Sequence, residues 1–130
     1  MSGLKAEARY KVVPLPRVQR EARKLLTTQQ LAEGIAVAKQ LRYYPHVPQL
    51  SIEPCGEAME LRVESKAVNR QGWLRAMFYV DEPNRTIYIV DLFWKKTNAV
   101  SLADMHRINH RLVQLKSLLS SGGRPWKSNE

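Results

Sequence analysis

The segment from Trp73 to Thr97 constrains the fold of this chain more than any other. It reads WLRAMFYVDEPNRTIYIVDLFWKKT, two runs of β-branched and aromatic residues around the polar segment Asp81–Asn84. This pattern predicts two antiparallel strands joined by a tight turn. Side chains alternate along a strand, so Arg75 and Tyr79 share one face. A basic side chain is costly to bury in mid-strand, which predicts that this face is solvated or functional.

Length and charge bound the rest of the interpretation. A chain of 130 residues is expected to form one domain, 1–130, and we expect flexible ends at 1–8 and 120–130. With 21 basic and 12 acidic residues, the formal net charge is +9. Such a charge favours a polyanionic partner: nucleic acid first, an acidic protein segment second and an anionic membrane surface third. A basic surface that serves only solubility remains the alternative.

The single cysteine and the lack of targeting signals indicate a cytoplasmic protein. Cys55 has no second cysteine for an intramolecular disulfide, which fits a reducing compartment. It lies between Pro54 and Gly56, so we expect an ordinary loop residue rather than a catalytic thiol. The first residues lack the apolar core of a secretion signal, and no run of about 18 apolar residues predicts a membrane span.

The order of predicted elements defines the fold class. Thr27 and Gln30, like Ser101 and Asp104, stand at the spacing of a capping box before a helix. The predicted elements are, in order, a strand at 9–13, a helix from Pro16, a helix at 28–41, a short strand at 49–52, a strand at 57–64, the two strands of the opening segment, and a helix with the apolar stripe Leu102, Met105, Ile108, Leu112, Leu115 and Leu119. We predict an α+β domain, in which an N-terminal helical hairpin packs on a small, mainly antiparallel sheet of three to four strands, with a C-terminal helix.

Known enzyme and metal signatures are missing from the sequence. It contains no phosphate-binding loop, dinucleotide fingerprint, nucleophile elbow or zinc motif. His106 and His110 are spaced to share a helix face, but no third ligand is near and Arg107 and Arg111 interleave with them. We therefore predict no metal and no cofactor, and interpret this helix face as basic and able to bind a partner or an anion.

Four basic residues on strands or strand ends are the candidate catalytic set: Arg62, Arg75, Lys95 and Lys96. Arginine binds phosphate bidentately and lysine supplies a compact charge, so together they could surround one phosphate group. They could then stabilise charge that develops on it. Tyr79 could stack an unpaired base beside them. The alternative is a solvated basic face.

Asp91 is an acid in the middle of a strand. Alternation places it on the face of Ile87, Ile89 and Phe93. It either pairs with an arginine of a neighbouring strand, Arg62 or Arg75, or lies in a functional groove. We favour the structural ion pair.

Three of these segments resemble a known family. Met59–Arg62 (MELR), Arg75–Tyr79 (RAMFY) and Phe93–Thr97 (FWKKT), with the capped helix after them, resemble the phage-derived, HigB-like branch of the RelE/ParE toxin superfamily. The resemblance covers about Glu57–Leu115. Of its motifs, the FWKKT ending is the most specific.

The resemblance implies the toxin of a type II toxin–antitoxin pair, a ribosome-dependent mRNA endoribonuclease that needs no metal. Its partners would be a cognate antitoxin and the mRNA on the ribosome. Arg62 and Arg75 would bind phosphate and stabilise charge. Lys95 and Lys96 would add charge, and one of them would assist proton transfer. Tyr79 would position a base.

Two departures from the family pattern bear on catalysis. Asp91 stands where family members often carry a histidine, and the connection 65–72 is longer than the turn usual there. The alternative function is therefore a non-catalytic phage or mobile-element protein that binds nucleic acid or a partner on the same scaffold. A gyrase-poisoning toxin of the ParE kind lacks the basic cluster, so Arg62 and Arg75 argue against it.

Overall fold

The structure, a computed structural model, describes residues 7–63, 73–95 and 100–123, without the side chains of Trp73 and Lys95. The predicted connection 65–72 lies outside these residues, as do 1–6 and 124–130 of the predicted flexible ends. The elements are β1 (Lys11–Pro14), α1 (Pro16–Leu25), α2 (Thr28–Lys39), a 3-10 helix (Gln40–Tyr43), β2 (Ser51–Cys55), β3 (Ala58–Val63), β4 (Trp73–Asp81), β5 (Thr86–Lys95) and α3 (Leu102–Ser120).

The predicted hairpin is confirmed and forms the centre of the sheet. β4 and β5 pair antiparallel from Trp73 opposite Lys95 to Asp81 opposite Thr86. The strand order is β1-β5-β4-β3-β2, and β1 pairs with β5 in parallel while the other pairs are antiparallel. The α+β class and the mainly antiparallel sheet are therefore confirmed. The predicted number of three to four strands is wrong, because five are formed among the described residues.

The additional pairing comes from the two edges of the sheet. β2 extends through Pro54 to Cys55, which were expected in a loop. Proline is tolerated there because β2 is an edge strand and one side of its backbone makes no ladder hydrogen bond. Gly56 then takes a positive φ of 61° in the two-residue turn into β3, a backbone conformation that favours glycine.

The helix boundaries follow their caps. Thr27 Oγ1 accepts from Gln30 N at 3.1 Å and Gln30 Oε1 accepts from Thr27 N at 2.9 Å, which completes the predicted capping box of α2. Ser101 Oγ accepts from the backbone N–H of Asp104 at 3.1 Å at the start of α3. α2 gives way to the 3-10 helix at Gln40, earlier than predicted. None of the described helices is long and apolar enough to cross a bilayer.

The sheet carries a helical layer on each face. α3 packs Ile108, Leu112 and Leu115 on one face, and α1 with the 3-10 helix packs Val18 and Leu41 on the other. The α3 face of the sheet is built from Val13, Ala58, Met77, Tyr88 and Val90, and the α1–α2 face from Leu61, Val63, Leu74, Ala76, Phe78, Ile87 and Ile89. Leu102, predicted in the apolar stripe of α3, is 80% exposed, so that prediction is wrong at its first position.

A β-bulge in β5 decides which side chains face α3. Met77 pairs with Asp91 but Phe78 pairs with Ile89, so Val90 is the extra residue. Beyond it the alternation changes phase, and Val90 and Asp91 both lie on the α3 face. The prediction that Asp91 shares a face with Ile87 and Ile89 is therefore wrong.

An apolar groove lies between α1, α2 and the sheet. It has a volume of about 440 Å³, and Arg23 and Lys39 are among its few polar lining residues. Its apolar lining includes Val18, Leu31, Ile35, Leu61, Leu74 and Leu92. Ile35 of α2 remains 47% exposed. α2 thus covers its side of the sheet only partly.

Candidate functional site

The structure brings Arg62 and Arg75 together. They are direct register partners on β3 and β4. Like charges directly opposite each other in a sheet are destabilising unless something compensates them. Glu60 does so: its Oε1 accepts from Arg62 Nε at 2.8 Å and its Oε2 accepts from Arg75 Nη1 at 3.1 Å. Sequence reasoning missed Glu60, although its position two residues before Arg62 on the same strand face could have indicated it.

The two arginines differ in their access to solvent. Arg62 is 20% exposed and has a second carboxylate partner, Glu53 Oε2 at 3.2 Å from its Nη2. The hydrogen bond with Glu60 raises the pKa of Arg62 above its ordinary value, although burial opposes the shift. Arg75 is fully buried at 0% exposure. A phosphate at this position would therefore meet Arg62 first and would compete with carboxylates for both guanidinium groups.

Asp91 is bound by the helix that covers it, not by the neighbouring strands. Its Oδ2 lies 2.8 Å from Arg107 Nη2 and its Oδ1 lies 2.7 Å from Arg111 Nη1. The structural ion pair is confirmed, but the predicted partners Arg62 and Arg75 are wrong. The bulge turns Asp91 toward α3, where two arginines one turn apart reach it.

Arg111 links three elements. Besides Asp91 on β5, it donates from Nη1 to the carbonyl of Val90 at 3.0 Å and from Nη2 to Glu21 Oε2 of α1 at 2.8 Å. Its side chain is only 7% exposed. The hydrogen bond from Arg111 is the main cause that lowers the pKa of Glu21 below its ordinary value, against the effect of burial. The predicted basic face of α3 is therefore partly an internal, compensated surface.

Arg107 stands at the edge of the same contact. It is 37% exposed, contacts Asp104 at 3.0 Å as well as Asp91, and lies 5.4 Å from the ring centroid of Phe93. Burial lowers the pKa of Arg107, but the hydrogen bonds and charges of the two aspartates outweigh that effect and raise it. Among the four arginines of these ion pairs, Arg107 and Arg62 are the ones that reach solvent.

The other predicted site residues lie at different distances from Arg75. β5 ends at Lys95, whose backbone pairs with Trp73, two residues from Arg75. Lys96 lies outside the described residues. Tyr79 is four residues further along β4, about 14 Å at a rise of ~3.4 Å per residue. Its ring lies 5.3 Å from Lys116 Nζ, beneath α3. Tyr79 and Arg75 share a face but not a local site.

Metal and thiol chemistry find no support in the described part of the chain. No group of three or more potential His, Cys, Asp or Glu ligands occurs among residues 7–63, 73–95 and 100–123. His106 and His110 are exposed on α3. Burial, with a contribution from Glu60, raises the pKa of Cys55, which disfavours the nucleophilic thiolate.

These contacts form two arginine–carboxylate clusters on the α3 side of the sheet, one around Glu60 and one around Asp91, which together are called here the arginine–carboxylate network. Its members are Arg62, Arg75, Arg107 and Arg111 with Glu21, Glu53, Glu60, Asp91 and Asp104. Four cations and five anions leave it with a formal charge of −1. Of the 21 basic and 12 acidic residues, 17 basic and 7 acidic lie outside the network, a net charge of +10 (17 − 7). The positive charge that suggests a polyanionic partner is therefore located elsewhere.

Comparison with known proteins yields a similarity of structure. No protein-family model matches the chain, and no curated protein matches it. Among solved structures, it is similar to a chain of the archaeal RelE–RelB complex from Pyrococcus horikoshii OT3, with 19% sequence identity and a TM-score of 0.45. The similarity covers 70% of this chain and 99% of that chain. A similarity of this size does not assign a family.

Proposed function

We propose that this protein is the toxin of a type II toxin–antitoxin pair and acts in the cytoplasm as a ribosome-dependent mRNA endoribonuclease that needs no metal. The observation that carries the proposal is the register pair Arg62 and Arg75, held by Glu60 on one face of an α+β sheet. The likeness of Met59–Arg62, Arg75–Tyr79 and Phe93–Thr97 to the HigB-like branch of the RelE/ParE superfamily supports it.

The proposed reaction uses the RNA itself as nucleophile. The 2′-oxygen forms a bond to the adjacent phosphorus while the bond from phosphorus to the 5′-oxygen breaks, which leaves a 2′,3′-cyclic phosphate and a 5′-hydroxyl. Arg62, the exposed member of the pair, binds the phosphate, and Arg75 adds positive charge behind it as the anionic transition state forms. Lys95 and Lys96 supply further charge and protonate the leaving 5′-oxygen.

The remaining candidate residues have supporting roles. Glu60 lies between the two arginines, and in the proposed reaction it accepts the 2′-hydroxyl proton. Tyr79 contacts a base at a neighbouring nucleotide rather than at the cleaved bond, since it is four residues away from Arg75 on β4. Asp91 acts indirectly: it holds α3 on the sheet through Arg107 and Arg111.

The antitoxin partner is proposed to dock in the groove between α1, α2 and the sheet. The groove is lined mainly by apolar side chains and carries cations at Arg23 and Lys39. An amphipathic segment with acidic residues at its margins is complementary to this surface in both shape and charge. Co-expression of a cognate antitoxin should restore growth, and Arg23→Glu/Lys39→Glu should abolish that rescue while the protein stays toxic.

A non-catalytic protein that binds nucleic acid or a partner on the same scaffold is the second candidate. It is favoured by the burial of Arg75 and by the two carboxylates that already bind Arg62. In this case the arginine–carboxylate network is structural, and binding depends on cations outside it.

Induction of the protein in bacteria, followed by growth curves and primer extension on abundant transcripts, separates the candidates. Wild type should arrest growth and cleave ribosome-engaged mRNA, while Arg62→Ala should do neither and should still fold by thermal unfolding. Lys24→Gln, an exposed cation of α1, is the matched control and should remain toxic. Growth arrest with intact transcripts would contradict the proposed endoribonuclease activity. Normal growth would contradict the proposed toxin function.

A further inference from the structure

A second cluster of cations lies at the opposite end of the sheet, around a shallow polar cleft of about 620 Å³. The cleft, called here the turn-end cleft, is lined by Glu7, Ala8, Arg9, Tyr43, His46 and Arg85. Arg85 belongs to the turn between β4 and β5, six residues or about 20 Å along the strand pair from the row of Arg75 at ~3.4 Å per residue. The cleft is therefore distinct from the arginine–carboxylate network.

Backbone hydrogen bonds fix the positions of these cations. The N–H groups of Arg9 and Tyr10 both donate to the carbonyl of Arg42, at 2.7 and 3.1 Å. The N–H of Lys11 donates to the carbonyl of Arg85 at 2.9 Å. Three separate segments of chain are thus joined, which brings the backbones of Arg9 and Arg85, and of Arg42 beside the lining residue Tyr43, to the same end of the sheet. Such preorganisation lowers the entropy that a ligand must remove on binding.

Unlike the arginines of the network, these three are poorly compensated. No ion pair binds Arg9 or Arg42 among the described residues, and both are exposed. Within the described residues, the ion pair of Arg85 is with Glu82, at 3.4 Å and with both side chains more than 60% exposed, and its guanidinium lies 6.0 Å from the ring centroid of Tyr10. Solvent-exposed pairs of this kind contribute little. Glu7 is the one acidic residue that lines the cleft, so the local charge is positive.

Two further features fit a nucleic-acid ligand. The ring of Tyr43 lines the cleft and has the guanidinium of Arg42 at 4.9 Å from its centroid, an aromatic and cation pair on which a base can stack. Arg85 adopts a φ of 49°, a conformation in which glycine or asparagine is favoured. The turn thus carries a long cation at a position whose backbone disfavours it, as is common at binding sites.

We propose that the turn-end cleft binds single-stranded RNA, with Arg9, Arg42 and Arg85 on successive phosphates and one base stacked on Tyr43. The identification of the polyanion as RNA rests on the proposed function. The placement of its binding site rests on these three poorly compensated arginines. In the proposed enzyme, this cleft supplies affinity at a distance from the cleavage site, which the charge-balanced network cannot supply.

Fluorescence anisotropy of the full-length protein with a labelled 12-nucleotide oligouridylate, at several salt concentrations, tests the proposal. The variant Arg9→Gln/Arg42→Gln/Arg85→Asn should bind at least tenfold more weakly, and its salt dependence should fall by about 2 in log–log slope, since each phosphate that is no longer neutralised accounts for about 0.7. Tyr43→Leu should weaken binding about five- to tenfold with the slope unchanged, because stacking contributes no counterion release. Asparagine suits the backbone at position 85, so folding should be retained.

The matched control removes the same charge elsewhere. Arg17→Gln/Arg20→Gln/Lys24→Gln neutralises three exposed cations of α1 and should bind within about twofold of wild type. Equal reductions in affinity in the two triple variants would overturn the proposal, because net charge alone would then explain binding. Unchanged affinity in the cleft variant would also overturn it.

Two further measurements separate this inference from the proposed function. A polyglutamate peptide that binds through the same three arginines, while the oligouridylate does not, would replace RNA with an acidic protein ligand and contradict the proposal. Arg62→Ala should abolish mRNA cleavage, and because it removes one phosphate contact it should weaken oligouridylate binding far less than the triple variant of the cleft does. If the protein binds RNA through the cleft but cleaves no mRNA, this inference would be supported and the proposed endoribonuclease activity would be contradicted.

Discussion

The two faces of the sheet hold their helices by different means. On one face, α3 combines an apolar core with the arginine–carboxylate network. Within that network, the single side chain of Arg111 contacts both β5 and α1. On the other face, the contacts are apolar and α2 leaves a groove of about 440 Å³. Within α2, all of whose residues are described, Gln30 is the one buried side chain.

This difference shows where the molecule tolerates change. Removing one partner of a buried ion pair leaves a desolvated charge, which is among the most destabilising changes known in proteins. A helix that only partly covers an apolar groove leaves space for added atoms or for a partner segment. We therefore expect large losses of stability from single substitutions on the α3 face and small effects, including gains, on the α2 side.

The largest effect is expected for Asp91→Ala. Asp91 is 1% exposed and binds both Arg107 and Arg111, of which Arg111 is nearly buried. Loss of the carboxylate should lower the free energy of unfolding by about 3–5 kcal/mol, the range for breaking a buried pair. Urea denaturation followed by circular dichroism measures it.

Glu57→Ala is the control for this change. It removes the ion pair with Lys116, in which the side chains are 67% and 38% exposed, and should cost no more than about 1 kcal/mol. Similar losses of stability in the two variants would show that the α3 face does not depend on its buried charges.

Glu60→Gln should have the next largest effect. The amide keeps the size of the carboxylate but removes the charge that lies between Arg62 and Arg75, and hydrogen bonds to charged groups contribute about 1.5–3 kcal/mol. The free energy of unfolding should fall by roughly that amount. Glu53→Gln, at the exposed side of Arg62, is the comparison and should change it by less than about 1 kcal/mol. A larger loss of stability in Glu53→Gln than in Glu60→Gln would show that the exposed ion pair between Arg62 and Glu53 is the more stabilising contact.

The contact between α1 and α3 should appear in the pH dependence of stability. Arg111 lowers the pKa of Glu21, so the folded protein keeps this carboxylate ionised at pH values where the unfolded chain protonates it. The stabilisation that the ionised Glu21 gives to the folded protein is fully present above pH 4.5, the ordinary pKa of this carboxyl group. It is lost as pH falls through the lowered pKa of the folded state. With 37% exposure, it should not exceed about 1 kcal/mol.

The measurement compares wild type with Glu21→Gln between pH 7 and pH 3. The wild type should be more stable at pH 7, and the difference between the two should decrease as pH falls below 4.5 toward pH 3. A difference that stays constant over this range would mean that ionisation of Glu21 does not stabilise the α1–α3 contact.

The same two faces explain how far the sequence could predict the fold. Alternation and turn residues are local signals, so β3, the β4–β5 hairpin and both caps could be predicted. The parallel pairing of β1 with β5 is a contact between distant segments, and no local pattern indicated it. The bulge at Val90 inserts one residue, so each later side chain of β5 points to the opposite face of the sheet from the one that alternation predicts. Alternation alone cannot detect such an insertion.

The candidate site was predictable in its residues but not in its contacts. Arg62 and Arg75 were expected on neighbouring strands, and the structure makes them register partners. The partners of Asp91 lie 16 and 20 residues away on α3, because the bulge turns its side chain toward that helix. Composition gave the net charge of +9 correctly but could not show that the excess of positive charge lies outside the arginine–carboxylate network. Compensation of charge depends on tertiary contacts.

The smallest effect is expected on the loosely covered side of the sheet. Gly34 lies inside α2 and borders the groove, and no atom lies within 4 Å of a Cβ added there. Because glycine in a helix interior costs conformational entropy, Gly34→Ala should raise the free energy of unfolding by about 0.5–1 kcal/mol. Gly56→Ala is the counterpart: its φ of 61° disfavours alanine, so this variant should lose about 1 kcal/mol. A loss of stability in Gly34→Ala would mean that α2 packs tightly against the sheet, and the contrast between the two faces would fail.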